Sequence, residues 1–89
     1  VIGNALALTR DINQVTTVAS GAGVQLPALT GVRIAVINTS ANALLVYPPG
    51  TGQINSLGAN VAFSLPATGK LDFVSVSTTQ YYTLNATYN

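Results

Sequence analysis

The stretch Gly31–Pro48, GVRIAVINTSANALLVYP, constrains this chain more than any other. Two apolar, β-branched runs, Val32–Ile37 and Ala43–Tyr47, flank Asn38-Thr39-Ser40-Ala41-Asn42. Asn and Ser tolerate turn geometry and hydrogen-bond their own backbone. The spacing therefore predicts a β-hairpin with a loop of roughly four or five residues. On the first strand Val32, Ile34 and Val36 share one face, and Arg33, Ala35 and Ile37 the other. On the second, Leu44 and Val46 oppose Ala43, Leu45 and Tyr47. A solvent-facing antiparallel pair would alternate cleanly between apolar and polar. Here both faces are mostly apolar. One is expected in the core, the other against a second sheet, a neighbouring subunit or a partner.

The rest of the chain sharpens that expectation through what it lacks. Its 89 residues suit one domain. There is no Cys, His, Trp or Met, and the charged residues are only Arg10, Asp11, Arg33, Lys70 and Asp72. Charge makes up 6% of the chain, against roughly 25% in an ordinary soluble domain. Uncharged Thr, Asn, Ser and Gln fill the gap. Such a surface is weakly protected against self-association. A monomer made soluble by amides and hydroxyls is one reading; a surface covered in an assembly is the favoured one. The net charge of +1 argues against nucleic acid, because phosphate binding needs clustered Lys and Arg. No apolar run approaches the roughly 20 residues of a membrane helix.

Val1–Thr9 alternates Ile2, Leu6 and Leu8 against Ala5 and Ala7, which suits an extended arm or edge strand. Arg10–Asn13 punctuates it. Gln14–Ser20 is a β-prone run of Val and Thr. Gly21-Ala22-Gly23 turns the chain into a short strand, Val24–Leu26, closed by Pro27. After the central hairpin, Pro48-Pro49-Gly50-Thr51-Gly52 is the strongest breaker. Gln53–Leu57 opens a further strand. Val61, Phe63 and Leu65 then alternate with Ala62 and Ser64 as a half-buried strand. Leu71 and Phe73 share a face before Val74 and Val76 continue on the other, suggesting a bulge near Asp72–Val74. Gln80–Tyr88 closes the series.

The two halves echo each other. Gln14-Val15…Val18 resembles Gln53-Ile54…Leu57, Leu26-Pro27-Ala28 matches Leu65-Pro66-Ala67, and Thr30-Gly31 matches Thr68-Gly69. The expected fold is all-β, an antiparallel sandwich or jelly-roll-like barrel of about eight strands. Residues 1–13 form the arm or edge strand and 14–89 a single β domain, with pseudo-repeats 14–48 and 53–86. The apolar residues left over for an interface are Ile2, Leu6 and Leu8 on the arm, and Ile37, Leu45 and Tyr47 on the hairpin.

Chemistry is poorly provided for. Without His or Cys, Ser-His-Asp and Cys-His arrangements are excluded. Paired-carboxylate work has only Asp11 and Asp72, each near a basic residue in sequence. No Asp-rich calcium loop is present. An enzyme is not expected, and neither is a cofactor or metal. Leu65-Pro66-Ala67-Thr68-Gly69 matches the LPxTG wall-anchoring signal, but no hydrophobic segment and basic tail follow, so it reads as a strand-end turn. Asn38-Thr39-Ser40 and Asn85-Ala86-Thr87 fit the short glycosylation pattern. Tyr47, Tyr81, Tyr82 and Tyr88 suit sugar stacking or, more simply, β cores and interfaces.

From Val36 to Tyr82 the chain combines N-T-S-A-N-A-L-L-V-Y-P, I-N-S-L, A-F-S-L and S-T-T-Q-Y-Y. This combination resembles a β-module of tailed-phage and prophage virion proteins, with Tyr81 where that pattern has Trp. The resemblance implies a virion component, most like a small capsid decoration (cement) protein. It also implies a homotrimer bound to the major capsid protein on the outer surface of the head. A free N-terminal strand would then add to a neighbour's sheet edge. The alternatives are a receptor- or carbohydrate-binding tip module of a tail fibre, and a pilin-like subunit.

Overall fold

The computed structural model describes residues 6–8, 11–16 and 22–84. Among them the strands are β1 (Leu6–Ala7), β2 (Ile12–Val15), β3 (Gly23–Gln25), β4 (Arg33–Asn38), β5 (Leu44–Tyr47), β6 (Gln53–Ile54), β7 (Phe63–Leu65), β8 (Lys70–Ser77) and β9 (Gln80–Leu84). They form a four-stranded sheet ordered β1-β3-β5-β7 and a five-stranded sheet ordered β2-β4-β8-β9-β6. This is the expected all-β sandwich, and it does not close into a barrel. The expectation of antiparallel sheets is corrected. β1 and β5 both run parallel to β3, β2 runs parallel to β4, and β6 parallel to β9.

Parallel neighbours need a long connection between them, and here the connection is a strand of the opposite sheet. From β1 to β5 the chain alternates between the two sheets, so its first half winds as a flattened parallel coil. Leu6 lies beside Val24, and Val24 beside Val46, in one layer. Ile12 lies beside Ala35 in the other. The ladder runs on past the strand ends, where Leu8 N–H donates to Gln25 and Leu26 N–H donates to Tyr47, both at 2.9 Å. The second half is antiparallel where β8 meets β4 and β9, and where β7 meets β5.

The expected Val32–Tyr47 hairpin does not form, because β4 and β5 belong to different sheets. Their loop is an arch across the sandwich, with side chains rather than backbones facing each other. Asn38 makes the arch self-sufficient. Its Nδ2 donates to the carbonyls of Asn42 (2.9 Å), Pro66 (3.1 Å) and Leu65 (3.3 Å). Its Oδ1 accepts from Ser40 N–H (3.0 Å) and Ser40 Oγ (2.8 Å). The amide thus satisfies polar groups of the arch and of the end of β7 from inside, while β4 pairs with β2 and β8.

Two further expectations are revised. In the first half β2 pairs with β4, whereas the corresponding β6 lies beside β9 and not β8. The sequence echo thus reflects shared turn chemistry, not a duplicated topology. The bulge falls between Ser75 and Ser77 rather than near Asp72–Val74. Leu71, Phe73 and Ser75 keep regular inward alternation, and Val74 and Val76 are outward residues that happen to be apolar.

The core draws on both sheets: Val24, Leu44, Val46 and Leu65 from one, and Ile34, Val36, Ile54, Phe73 and Tyr81 from the other. Phe63 and Phe73 meet edge to face across it, with centroids 5.7 Å apart. Each fully buried aliphatic or aromatic side chain adds about 1.5–3 kcal/mol before chain entropy is counted. Gly23 sits where backbone and ring close in. A Cβ there would lie 2.6 Å from the Leu45 carbonyl oxygen and 2.9 Å from the Tyr47 ring.

Candidate interaction surface

The residues expected to share an interface are not gathered on one surface. Ile2 lies outside the described residues, and Leu6 is in the edge strand β1. Leu8 is a core residue at 6% exposure, which corrects its place in the expected interface, and β1 and β2 are edge strands, one of the two forms expected within residues 1–13. Ile37 is half-buried on the outer side of the five-stranded sheet, since its neighbours Val36 and Asn38 point inward. Leu45 and Tyr47 are on the outer side of the other sheet, beside Gly23. Tyr47 is itself buried, its ring filling the gap that Gly23 leaves.

The tyrosines do not build a stacking platform. Tyr81 is fully buried, and its hydroxyl donates to the Pro27 carbonyl at 2.7 Å. Burial raises the pKa of that hydroxyl, and a hydrogen bond with the Ser75 side chain partly offsets the rise. Tyr82 is exposed, and Tyr88 lies outside the described residues. Asn38, the first glycosylation-pattern Asn, is fully buried with its amide committed to three carbonyls. No modifying enzyme can reach it in the folded protein.

What the fold does assemble is the outer side of the five-stranded sheet. Register places Ile12, Ala35, Asp72 and Leu84 in one row across β2, β4, β8 and β9. Arg33, Val74 and Tyr82 form the row on one side of it, and Gln14, Ile37 and Lys70 the row on the other. Ile12 is 69% exposed, Tyr82 46% and Leu84 40%. The Arg33 guanidinium meets the Asp72 carboxylate at 2.8 Å in the middle of this apolar ground. Lys70 is on the same face, and Asp11, exposed, stands just before β2. Every charged side chain among the described residues is therefore on or beside this face, in equal numbers of each sign. The opposite sheet presents Ala7, Gly23, Gln25 and Ser64 around the half-buried Leu45 and the covered Tyr47.

The two edges of the same sheet differ. At β6, side-chain amides lock the edge strand onto β9. Gln53 donates to Gln80 at 2.8 Å, Gln80 donates to the Asn55 carbonyl at 2.8 Å, and Asn55 donates to Thr83 Oγ1 at 3.1 Å. At β2, the Asp11 and Val15 carbonyls accept from Ala35 and Thr39. The backbone groups of Ile12 and Gln14 consequently turn away from β4, toward a side where no described strand lies. β1 ends the other sheet in the same way, pairing only with β3 among the described strands.

Sequence reasoning located Ile37 on this surface and missed Ile12, Val74, Tyr82 and Leu84. The available signal was that both alternating sets of Leu71–Val76 and of Gln80–Leu84 contain large apolar or aromatic residues. Among the described residues no group of three His, Cys, Asp or Glu side chains comes together. The arrangement is one of flat faces and open edges, suited to contact with another protein. Comparison with known proteins finds no matching family model, no matching curated protein and no matching solved structure.

Proposed function

We propose that this chain is a structural virion protein, a capsid decoration (cement) protein that binds the outside of a phage-type head and stabilises the shell. The observation that carries the reading is the pair of open edge strands, β1 and β2, closing one end of the two-layer coil. A strand of the major capsid protein added to such an edge gains main-chain hydrogen bonds without any pocket or catalytic group. Many modest contacts repeated by symmetry then resist outward pressure on the shell. The phage-module resemblance of Val36–Tyr82 supports the same reading, and its residues serve as turn and core positions here: Asn38, Leu44, Val46, Ile54 and Leu65 are all buried. The mechanism needs neither cofactor nor metal.

The test is binding of the purified chain to heads that lack it, with copies per particle counted by mass spectrometry. The reading requires saturation at hundreds of copies per head and heads that survive more heating. A few copies confined to tails would instead identify a fibre module. Gln14→Pro probes the edge itself, because proline is tolerated where the N–H faces away from the ladder. It should abolish head binding and leave thermal unfolding nearly unchanged.

A further inference from the structure

The outer face of the five-stranded sheet needs an occupant, and its own layout describes one. We propose that it is covered by a second copy of the chain, packed face to face about a two-fold axis running along the strands between β4 and β8. Three observations carry this. The face groups the exposed Ile12, Val76, Tyr82 and Leu84 on one sheet, whereas the other exposed large aliphatic side chains, Leu29, Leu57 and Val61, lie in loops. Its charges balance, and a surface of that kind matches neither nucleic acid nor an anionic membrane, whereas it can match itself. The register also makes it self-complementary. An axis between β4 and β8 sets β2 of one copy over β9 of the other, so Ile12 meets the second copy's Leu84. Ala35 then lies over Asp72, and each Arg33 comes within one row, about 7 Å along the strand, of the second copy's Asp72. The ion pair at the centre therefore stays paired when water leaves.

The size of the face sets the strength. Four strands spaced about 4.8 Å and three rows spaced about 7 Å cover roughly 400 Å² per copy. That is the range of weak, reversible association rather than of an obligate dimer. It becomes consequential where copies are crowded, and it does not rest on the virion reading.

Sedimentation equilibrium of the purified chain from about 10 μM to 1 mM tests the proposal. A monomer–dimer equilibrium is expected, with dimer dominating at the upper end. Ile12→Lys and Leu84→Asp should each weaken it about tenfold or more, because each alters both symmetry-related Ile12–Leu84 contacts. Combined in one chain they should restore dimer to within about threefold of the parent. Ile12 and Leu84 stand at opposite sides of the face of a single copy, so only the two-fold arrangement brings the new charges together. Both side chains are exposed, and unchanged circular dichroism and unfolding temperature establish that the variants remain folded. A monomer at every concentration, a trimer, single variants without effect, or a double variant no better than the singles overturns the proposal. Head binding by monomeric Leu84→Asp, a change outside β1 and β2, separates this surface from the β1/β2 edge.

Discussion

Two polar residues of β4 point to opposite sides of its sheet. Arg33, outward, holds Asp72 in an ion pair whose arginine side chain is 61% exposed. Asn38, inward, has no exposure and no charge, yet it ties together the β4–β5 arch and the end of β7. The natural expectation for a charge-poor chain is that its few ions serve its architecture. This chain does the reverse. Neutral amides do the internal joining, because a buried amide costs far less to desolvate than an ion and can donate and accept at once. Ions stay at the surface, where they select what the face can meet.

Removing the inward residue should have the largest effect. Asn38→Leu leaves the Leu65, Pro66 and Asn42 carbonyls and the Ser40 hydroxyl without their shared partner. A loss of about 3 kcal/mol or more is expected in chemical denaturation. A loss below about 1 kcal/mol would mean that the arch does not depend on the amide.

Tyr81→Phe sharpens the comparison with a second neutral tie. Deleting the hydroxyl that reaches Pro27 should cost about 1–2 kcal/mol, measured the same way. The parent protein should also lose stability in alkali. Below about pH 10 Tyr81 is neutral whether the chain is folded or unfolded, and its contribution is fully present. Above that, the unfolded chain ionises first because burial raises the folded-state pKa. Stability then falls by up to about 1.4 kcal/mol per pH unit, and the phenylalanine variant should lack this component.

Thr68 gives a smaller effect of opposite sign. It occupies φ +61° in the turn whose Pro66 carbonyl accepts from Gly69 at 2.9 Å. A β-branched residue is strained there. Thr68→Gly should raise stability by about 0.5–1 kcal/mol, seen as a higher unfolding temperature. Smallest of all, Arg33→Ala should change the stability of the monomer by about 0.5 kcal/mol or less, since the pair is largely solvated. An effect as large as that of Asn38→Leu would erase the distinction between the two groups.

The difference also explains what could be read in advance. Strand content, the Pro48–Gly52 break and the inward set of Ile34, Val36, Leu44, Val46 and Phe73 follow from period-two alternation, which is local. The partners of each strand do not. Asn38-Thr39-Ser40-Ala41-Asn42 is equally good as a hairpin loop and as an arch, and only the distant carbonyls of Leu65 and Pro66 decide between them. Leu8 looked like part of an arm because nothing nearby in sequence shows that β3 will receive it. The face carrying Ile12 and Leu84 was hidden for the same reason. Its rows are made of residues far apart in the chain.

The alternation of the first five strands between two sheets has a consequence for how the chain acquires its fold. Each parallel neighbour arrives only after a strand of the other layer has been laid down, so closing each pair fixes a long loop before any contact compensates it. Among the described strands, β8 and β9 alone are sequence neighbours that also pair with each other, joined by the tight turn Thr78-Thr79, and they follow all the others in the chain. β8 is also the strand that links β4 to β9 at the middle of its sheet. A growing chain therefore has no hairpin to condense on until β8 and β9 have emerged. Folding should be slow for a domain of this size, in the range of milliseconds to seconds typical of non-local β topologies. Throughout that interval the apolar runs of Val32–Tyr47 are in water with almost no charge to keep neighbouring nascent chains apart.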